Sequence, residues 1–360
     1  MAGTLYISSR KGLFAVRKRG RSWSVGAPAF LGEPVSAVFA DPRTGLLLAA
    51  LRLGHFGVKL HRSEDGGKTW SETPAPAFPK TSDDPKHGPS VDTLWNFTAG
   101  GADQPGVIWC GTIPGGLFRS GDDGLTWALV ETLWNRPERA KWMGVGGDQP
   151  GIGTVLVDPR DSNKLTLGIS TGGVWKSDDG AKTWRQAGFG MRNEYLPPDK
   201  AGDPAMQDVH RIASPAADPR VVWCQHHNGI FRSADGGENF REIKKVKPSV
   251  FGFAVVAHPH DAKTAWFVPG VKDEKRVAVD GKLVVNRTSD GGKTFEPLNR
   301  GLPKVGCYDL IYRHALTVDD SGDRLAFGST TGNLWISENG GKAWTQVSCY
   351  LPPIAAVNWG

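Results

Sequence analysis

Short apolar runs alternate with turns rich in glycine, proline, serine and aspartate from one end of the chain to the other. Typical runs are VSAVFA at residues 35–40 and FGFAVV at residues 251–256. Runs of this length and composition predict β-strands, and no segment shows a convincing amphipathic-helix spacing of 3.6 residues. The pattern therefore predicts an all-β protein.

One turn is written six times, as SEDGGKTW at residues 63–70 and in related form at 120–127, 177–184, 233–240, 288–295 and 337–344. The starts lie 57, 57, 56, 55 and 49 residues apart, which is the spacing of an array of similar units. An aspartate in a glycine-rich turn accepts backbone N–H bonds, and a closing aromatic residue anchors the turn. Because Ala181 and Asn339 replace a glycine and the aspartate in two copies, we interpret the aspartates as structural.

Each unit contains two apolar runs before the turn, a short strand after it, and another run beyond a loop. Four-stranded units repeated around a ring make a β-propeller. A degenerate first copy at residues 5–23 lacks a leading strand, and the chain ends with a spare run at residues 354–359. Joining the two predicts a seven-bladed β-propeller, one domain over residues 1–360, whose closed ring leaves no exposed sheet edge.

Composition narrows the class of protein. The 47 glycines and 25 prolines suit many tight turns, and 14 tryptophans suit a sizeable core. The four cysteines lack metal-type spacing and are expected to be buried thiols in a reducing compartment. The net charge of +6 is carried by local clusters that match no nucleic-acid motif. With neither a signal peptide nor a long apolar span, we expect a cytoplasmic protein without nucleic-acid or membrane partners.

The strand order assigns each loop to one face of the ring. The loop before the first strand of a blade and the loop between its second and third strands share one face, and the repeated turns lie on the other. On the first face, small loops such as ISTGG at 169–173 give way to QHHNG at 225–229. Turn chemistry gives no reason for His226 and His227, whereas histidine serves as a base or metal ligand. We therefore predict a site at this mouth of the channel.

Three loops on one arc of the same face are long, at residues 71–90, 128–150 and 185–207, and they predict the wall of a cleft. Aromatic residues beside arginine, glutamate and histidine suit a sugar-like ligand, which binds by stacking and directed hydrogen bonds. The predicted ligand-binding residues are Arg52, His55, Trp95, Trp134, Trp142, Arg192, Tyr195, Arg211 and Tyr308.

Acid–base chemistry or metal binding would fall to the histidines and carboxylates of this face. Arg52 and Arg211 are expected to clamp an anionic group. The predicted catalytic residues are His226, His227, His210, Glu194 and Glu138, and the predicted ligands of a divalent metal at the channel mouth are His226, His227 and His210.

The repeated turn resembles the Asp-box, or BNR repeat, of sialidases, sortilin-type receptor domains, a photosystem II assembly factor and some xyloglucan-degrading enzymes. The segments around His55, residues 225–233 and residues 326–335 are similar to bacterial proteins labelled sialidase-like or BNR glycosyl hydrolases. This resemblance implies a propeller and a carbohydrate-active function. Sialidases are six-bladed, however, and their early Arg-Ile-Pro type motif is absent here, which argues against a true sialidase.

Three functions stay open on the sequence. The first is an enzyme, glycosidase-like or metal-assisted and lyase-like, that acts on a carbohydrate or another small polar ligand. The second is a non-catalytic propeller that binds a ligand or a protein, and the third is an assembly scaffold. A propeller fold hosts all of them, so the choice depends on the chemistry of the site.

Overall fold

A computed structural model describes residues 3–80, 89–144 and 149–360. In this part of the chain, 28 strands form seven antiparallel four-stranded sheets, the blades of a β-propeller. The first four groups in chain order are β1 (Thr4–Ser9), β2 (Gly12–Arg19) and β3 (Ser22–Val25) in blade 1; β4 (Val35–Ala40), β5 (Leu47–Arg52), β6 (Val58–Ser63) and β7 (Ser71–Thr73) in blade 2; β8 (Thr93–Ala99), β9 (Ile108–Ile113), β10 (Leu117–Ser120) and β11 (Ala128–Leu129) in blade 3; and β12 (Gly151–Asp158), β13 (Asp161–Ser170), β14 (Gly173–Ser177) and β15 (Arg185–Ala187) in blade 4.

The later strands are β16 (Val209–Ala213), β17 (Val222–His226), β18 (Gly229–Ser233) and β19 (Phe240–Ile243) in blade 5; β20 (Gly252–Ala257), β21 (Ala265–Pro269), β22 (Val285–Thr288) and β23 (Glu296–Leu298) in blade 6; β24 (Leu316–Val318), β25 (Leu325–Gly328), β26 (Leu334–Ser337) and β27 (Thr345–Ser348) in blade 7; and β28 (Ile354–Trp359), which returns to blade 1.

Helical structure is confined to short turns in the loops of the described residues. They are the helix α1 (Glu131–Trp134) and the 3-10 turns Gly54–Phe56, Pro137–Lys141, Pro204–Met206 and Val279–Gly281. None of these has the length or apolarity that a membrane crossing requires.

The ring closes as the sequence predicts. Strand β28 pairs antiparallel with β1, with Leu5 opposite Trp359, and it becomes the first strand of blade 1. At the seam, the backbone N–H of Gly360 donates to the carbonyl of Thr4 at 2.9 Å. The prediction of seven blades, one of them composite, is confirmed.

The aspartates of the repeated turns are hydrogen-bonded within their own turns. Asp65 Oδ1 accepts from Ser63 Oγ at 2.8 Å and from the backbone N–H of Lys68 and Thr69, and its Oδ2 accepts from the Thr69 hydroxyl. These bonds lower the pKa of the Asp65 carboxyl, with the Thr69 hydroxyl as the largest cause. In the copy without the aspartate, Asn339 Oδ1 accepts from Ser337 Oγ and from the backbone N–H of Ala343. The turn side chains thus have a structural role, as the sequence indicates.

The core lies between the blades rather than at the centre of the ring. Each apolar cluster joins the facing sheets of neighbouring blades, and the largest fully buried side chains are Trp109, Trp175, Trp223, Trp266 and Trp335. Three of the four cysteines are also buried, and none forms a disulfide. The fourth, Cys349, is exposed, so the expectation that all four are buried is wrong for this residue.

The channel is crossed by side chains at about mid-depth. His314 Nε2 donates to the carbonyl of Gly153 at 2.6 Å from the opposite side of the ring, and its ring lies edge-on to Trp95. Arg211 reaches across to donate to the carbonyls of Arg313 and Leu316. Desolvation and the nearby Arg211 lower the pKa of His314 to about 3, so this ring is a neutral structural element. We call Trp95, Arg211 and His314, whose side chains contact one another or opposite strands across the channel, the plug.

Candidate functional site

Three side chains of blade 5 converge at the mouth that lies opposite the repeated turns. Asp208 precedes β16, His210 lies within it, and His227 follows β17. Asp208 Oδ2 lies 3.3 Å from His227 Nδ1 and 3.7 Å from His210 Nε2. Their ligand atoms all fall within 4.8 Å of one another, and Asp208 and His210 are almost fully buried. We call these three residues the mouth triad.

A β-bulge sets the position of His210. Val209 pairs with His226 and Arg211 pairs with Gln225, so His210 is the extra residue between them. A bulge re-aims the side chain of the strand that carries it. The same irregularity occurs in the first strands of blades 2, 3 and 4, where the extra residues are Ser36, Trp95 and Gly153. The scaffold therefore repeats the bulge, and blade 5 places a histidine there.

The hydrogen bond of His210 fixes which of its ring nitrogens carries the proton. Nδ1 lies 2.7 Å from the carbonyl oxygen of Gly252, which can only accept, so Nδ1 donates. The ring is stacked on Phe253 at 4.3 Å. Desolvation lowers the pKa of His210, and the nearby Asp208 offsets only part of this effect. The lowered pKa favours the neutral ring. The other ring nitrogen, Nε2, faces the Asp208 carboxylate at 3.7 Å.

Asp208 is held as a carboxylate despite its burial. Burial raises the pKa of this carboxyl, but the neighbouring imidazoles of His210 and His227 and the charge of Arg313 outweigh it and leave the pKa well below its usual range. Ser170 Oγ donates to Asp208 Oδ1 at 3.3 Å, and the backbone N–H of His227 donates to the Asp208 carbonyl at 3.0 Å. The carboxylate is thus negative and fixed in orientation.

The mouth triad has dimensions suited to a divalent cation. Two ligand atoms of a tetrahedral site with bonds of about 2.1 Å lie about 3.4 Å apart. The separations of 3.3 and 3.7 Å from Asp208 fall on either side of that value. Two imidazoles and one carboxylate form a ligand set that leaves coordination positions open for water or substrate.

Aromatic residues surround the triad. The ring of Tyr195 lies edge-on to His227 at 5.2 Å, and Phe251 packs against both histidines. Desolvation, with a contribution from Asp208, raises the pKa of Tyr195 to about 12, so its phenol keeps the proton at neutral pH. The Tyr195 side chain is partly exposed at the rim.

Two arginines from other blades complete the mouth. Arg313 Nη2 donates to Ser170 Oγ at 3.2 Å, and the guanidinium lies over Trp95 and Phe253 at 5.2 and 5.4 Å from their centroids. Arg276 lies 5.5 Å from the same Phe253 ring and is paired with Asp273. The mouth therefore carries two cations beside the triad.

Of the two adjacent histidines, only His227 belongs to the triad. His226 is fully buried, its ring lies 5.3 Å from Phe231, and its Nδ1 accepts from the backbone N–H of Asn228. Desolvation lowers the pKa of His226 to about 3. The structure therefore does not bring His226 to the other two predicted ligands, and the third group beside His210 and His227 is Asp208.

Several other predicted residues have structural partners. Trp142 is buried with its ring against Trp175, and Trp134 packs on Phe78 at 4.4 Å. The structure thus assigns both tryptophans to the wall between blades rather than to a ligand surface. Lys141 bridges to Asp203 at 2.8 Å and ties two of the long loops together, while residues 81–88 and 145–148 of the predicted wall lie outside the described residues.

The structure also argues against Glu138 as a general acid and against Arg52 and Arg211 as a clamp for an anion. Arg136 donates two hydrogen bonds, from Nε and Nη2, to the Glu138 carboxylate. These bonds lower the pKa of Glu138, which opposes a role as general acid. Arg52 forms a two-bond pair with Asp92, and Arg211 is committed to backbone carbonyls in the plug. Both arginines thus already have acceptors within the protein.

The remaining predicted residues are dispersed. His55 is exposed on blade 2 and stacks on Phe56, and Tyr308 is exposed before β24. Arg192 and Glu194 are exposed beside Tyr195, and Trp95 lies in the plug under Arg313. The structure brings together His210, His227 and Tyr195, and it adds Asp208, Arg276 and Arg313, which the sequence argument did not choose.

A cavity of about 760 Å³ lies at the end of the channel that carries the repeated turns, where Asp178 and Asp235 line it. Trp95, Arg211 and His314 also line this cavity. None of the three residues of the mouth triad lines it.

Comparison with known proteins supports the fold. No known protein-family profile matches the sequence. A xyloglucanase from Paenibacillus sp is 22% identical over 313 residues, which is 75% of this chain and 28% of that protein. The chain therefore spans little more than a quarter of the length of that relative.

Solved structures agree with this similarity. The GH74 xyloglucanase from Xanthomonas campestris has a TM-score of 0.65 at 18% identity, over 97% of this chain and 53% of that one. YCF48 bound to D1 peptide has a TM-score of 0.51 at 14% identity, over 87% of this chain and 81% of that one. At these identities the likeness shows the propeller fold, and the sialidase-like label implied by the repeated turn stays a prediction.

Proposed function

We propose that this propeller is a carbohydrate-active protein that uses a divalent metal held by Asp208, His210 and His227 at the channel mouth. The observation that carries the proposal is geometric: the ligand atoms of a buried carboxylate and two imidazoles lie within 4.8 Å of one another. A cation bound between them would be attracted by the carboxylate in a poorly solvated site, where charges interact more strongly than in water.

The second contact of His210 supports the same conclusion. Metal-binding histidines commonly donate their other ring N–H to a backbone carbonyl or carboxylate, which fixes the ring and its tautomer. His210 does this with Gly252, and Ser170 in turn orients Asp208. A divalent ion at such a site polarises substrate oxygens and lowers the pKa of bound water.

The side chains of the mouth favour lyase-like over glycosidase-like chemistry. Glycosidases use two carboxyl groups, one of which has a raised pKa so that it can protonate the leaving oxygen. Here the pKa of Asp208 and Glu138 is lowered, and bonds of Glu274 to its own backbone and to Lys272 lower the pKa of that carboxyl too. Tyr195 keeps its proton and lies beside His227, so it is the residue placed to protonate a leaving group.

The names of two similar proteins support a class of substrate for this proposal. Both the Paenibacillus protein and the Xanthomonas protein are named xyloglucanases. They support a glycan as the ligand of this chain, while the sugar and the reaction are argued from the mouth itself.

Metal content tests the proposal directly. Purified protein is stripped with chelator, reloaded separately with Mn²⁺ and Zn²⁺, and measured by elemental analysis after removal of free ion. We expect about one equivalent in the wild type and in His55→Ala, an exposed histidine outside the triad. Asp208→Asn and His210→Ala should lose the ion, and failure of the wild type to take up either ion would overturn the proposal.

A protein-binding function is the second candidate. Leu31, Phe56, Tyr308 and Tyr350 are large, exposed residues, and all lie in loops of the same face as the triad. Exposed apolar residues gathered on one face mark interaction sites. Two results together would favour protein binding over metal-dependent chemistry. The protein would take up no metal, and the double substitution Leu31→Ser and Tyr350→Ser would change its association state in sedimentation velocity.

A further inference from the structure

Arg313 is the charged group at the mouth with the fewest partners. In the described part of the chain its guanidinium forms no ion pair within 4.0 Å, although the Asp208 carboxylate acts on it from farther away, and its only side-chain hydrogen bond is to Ser170 Oγ. Its Nε is buried without a partner. By contrast, Arg43 in blade 2 is half-buried and forms a two-bond pair with Asp41. An arginine with unused donors beside a cleft is an unfilled binding position for an anion.

Arg276 reinforces this position from blade 6. Its guanidinium and that of Arg313 lie at nearly equal distances from the Phe253 ring, 5.5 and 5.4 Å. Like charges on one ring repel, and Asp273 offsets only Arg276. Since Phe253 also stacks on His210, the two guanidiniums border the mouth triad.

We infer that Arg313 and Arg276 bind the carboxylate of an acidic sugar, so that the substrate class of this mouth is a uronate-containing oligosaccharide. The inference rests on the proposed function for the sugar, whereas the preference for an anion rests on the two arginines alone. Arginine presents paired N–H donors that match the two oxygens of a carboxylate. Tyr195 and Phe251 provide apolar surface beside them for the sugar ring.

This substrate class would separate the chain from the relatives to which it is similar. Xyloglucan is a neutral polysaccharide, and a neutral sugar offers no partner for the unused donors of Arg313. Leaving a buried donor unpaired weakens binding, so the same arginines should select against neutral ligands.

Binding of matched sugars tests the inference. Digalacturonate is compared by calorimetry with galactobiose, which has the same ring stereochemistry without the carboxylates, and with tartrate, a hydroxy acid without a sugar ring. We expect digalacturonate to bind at least about tenfold more tightly than either. Equal affinity for galactobiose, or no binding of digalacturonate, would overturn the inference, and equal affinity for tartrate would show that any carboxylate suffices.

Variants distinguish this inference from the metal proposal. Arg313→Gln should weaken digalacturonate binding about 10- to 100-fold and leave metal content unchanged. Arg52→Gln, which removes an arginine already paired with Asp92 on another blade, is the matched control and should bind as the wild type does. If the wild type takes up neither metal ion but still prefers digalacturonate, the metal proposal alone is refuted. Unchanged digalacturonate affinity in both Arg313→Gln and Arg276→Gln would refute the inference alone.

Discussion

His226 and His227 are adjacent in the sequence, yet only His227 reaches Asp208, with Nδ1 3.3 Å from Oδ2. His226 is the last residue of β17 and is buried against Phe231 on the other side of the strand. Neighbouring residues of a strand point to opposite faces, so a pair of adjacent histidines supplies one ligand and one core residue. Substituting each histidine in turn therefore separates loss of metal binding from loss of core packing.

We expect opposite effects from the two substitutions. His227→Ala should abolish metal binding and cost less stability than His226→Ala, because the His227 side chain is 12% exposed whereas His226 is fully buried. His226→Ala should retain the metal but lower the free energy of unfolding by about 2–4 kcal/mol, since it opens a cavity in the core. Elemental analysis and urea denaturation of both variants measure this, and loss of metal in His226→Ala alone would contradict the assignment.

Acid should weaken the turns that carry an aspartate. Hydrogen bonds from Thr294 lower the pKa of Asp290 to about 2, from an ordinary value of 3.8. The folded state therefore gains stability from this carboxylate above pH 4 and loses it as the pH falls from about 4 to 2. The destabilisation caused by Asp290→Ala should be large at pH 7 and should vanish near pH 2.

Asn339 supplies the control for that experiment. Its amide makes the equivalent bonds without a titrating group. The difference in urea midpoint between Asn339→Ala and wild type should stay constant over the same pH range. A parallel decline in both variants would show that the acid effect does not come from the turn carboxylate.

The plug histidine should make the protein sensitive to mild acid. The pKa of His314 is about 3 in the folded state and near 6.5 in an unfolded chain, so both states are neutral above pH 6.5. As the pH falls from 6.5 to 3, only the unfolded chain gains this proton, and stability declines by up to about 1.4 kcal/mol per pH unit. His314→Gln keeps a donor for Gly153 and should reduce this slope, whereas the exposed His55→Gln should leave it unchanged.

The close contact of Gly173 with the loop before blade 5 predicts a site that cannot tolerate alanine. Gly173 has a φ of +77°, and an added Cβ would lie 1.9 Å from the carbonyl oxygen of Pro204. Gly173→Ala should lower the free energy of unfolding by more than about 2 kcal/mol, because the wall loop must move. Gly54→Ala, at φ +62° with open space around it, should cost only about 1 kcal/mol, as measured by urea denaturation.

Much of the fold could be predicted because its information is local and repeated. Each repeated turn is held by hydrogen bonds within eight residues, as those that Ser63 and Thr69 donate to Asp65, and the six copies mark the positions of six blades along the chain. The composite blade followed from counting strands, and β28 pairs with β1 as expected.

The site was less predictable because it joins residues that are distant in the sequence. Asp208 carried a usable signal, since it stands two positions before His210 at the entry of the same strand. Arg313 carried none, because it comes from blade 7 and reaches Ser170 of blade 4 across the channel. The tryptophans were misassigned because aromatic residues in long loops build the walls between blades as readily as they bind sugars.

The seam between β28 and β1 makes the starting point of the sequence arbitrary with respect to the ring. The backbone N–H of Gly3 donates to the carbonyl of Gly360 at 3.3 Å, so a short linker could join these residues without moving a strand. Opening the chain instead between β3 and β4 would place all four strands of blade 1 in one continuous segment. Such a circular permutant would no longer need distant parts of the chain to meet before its first blade can fold, which should speed the closure of the ring.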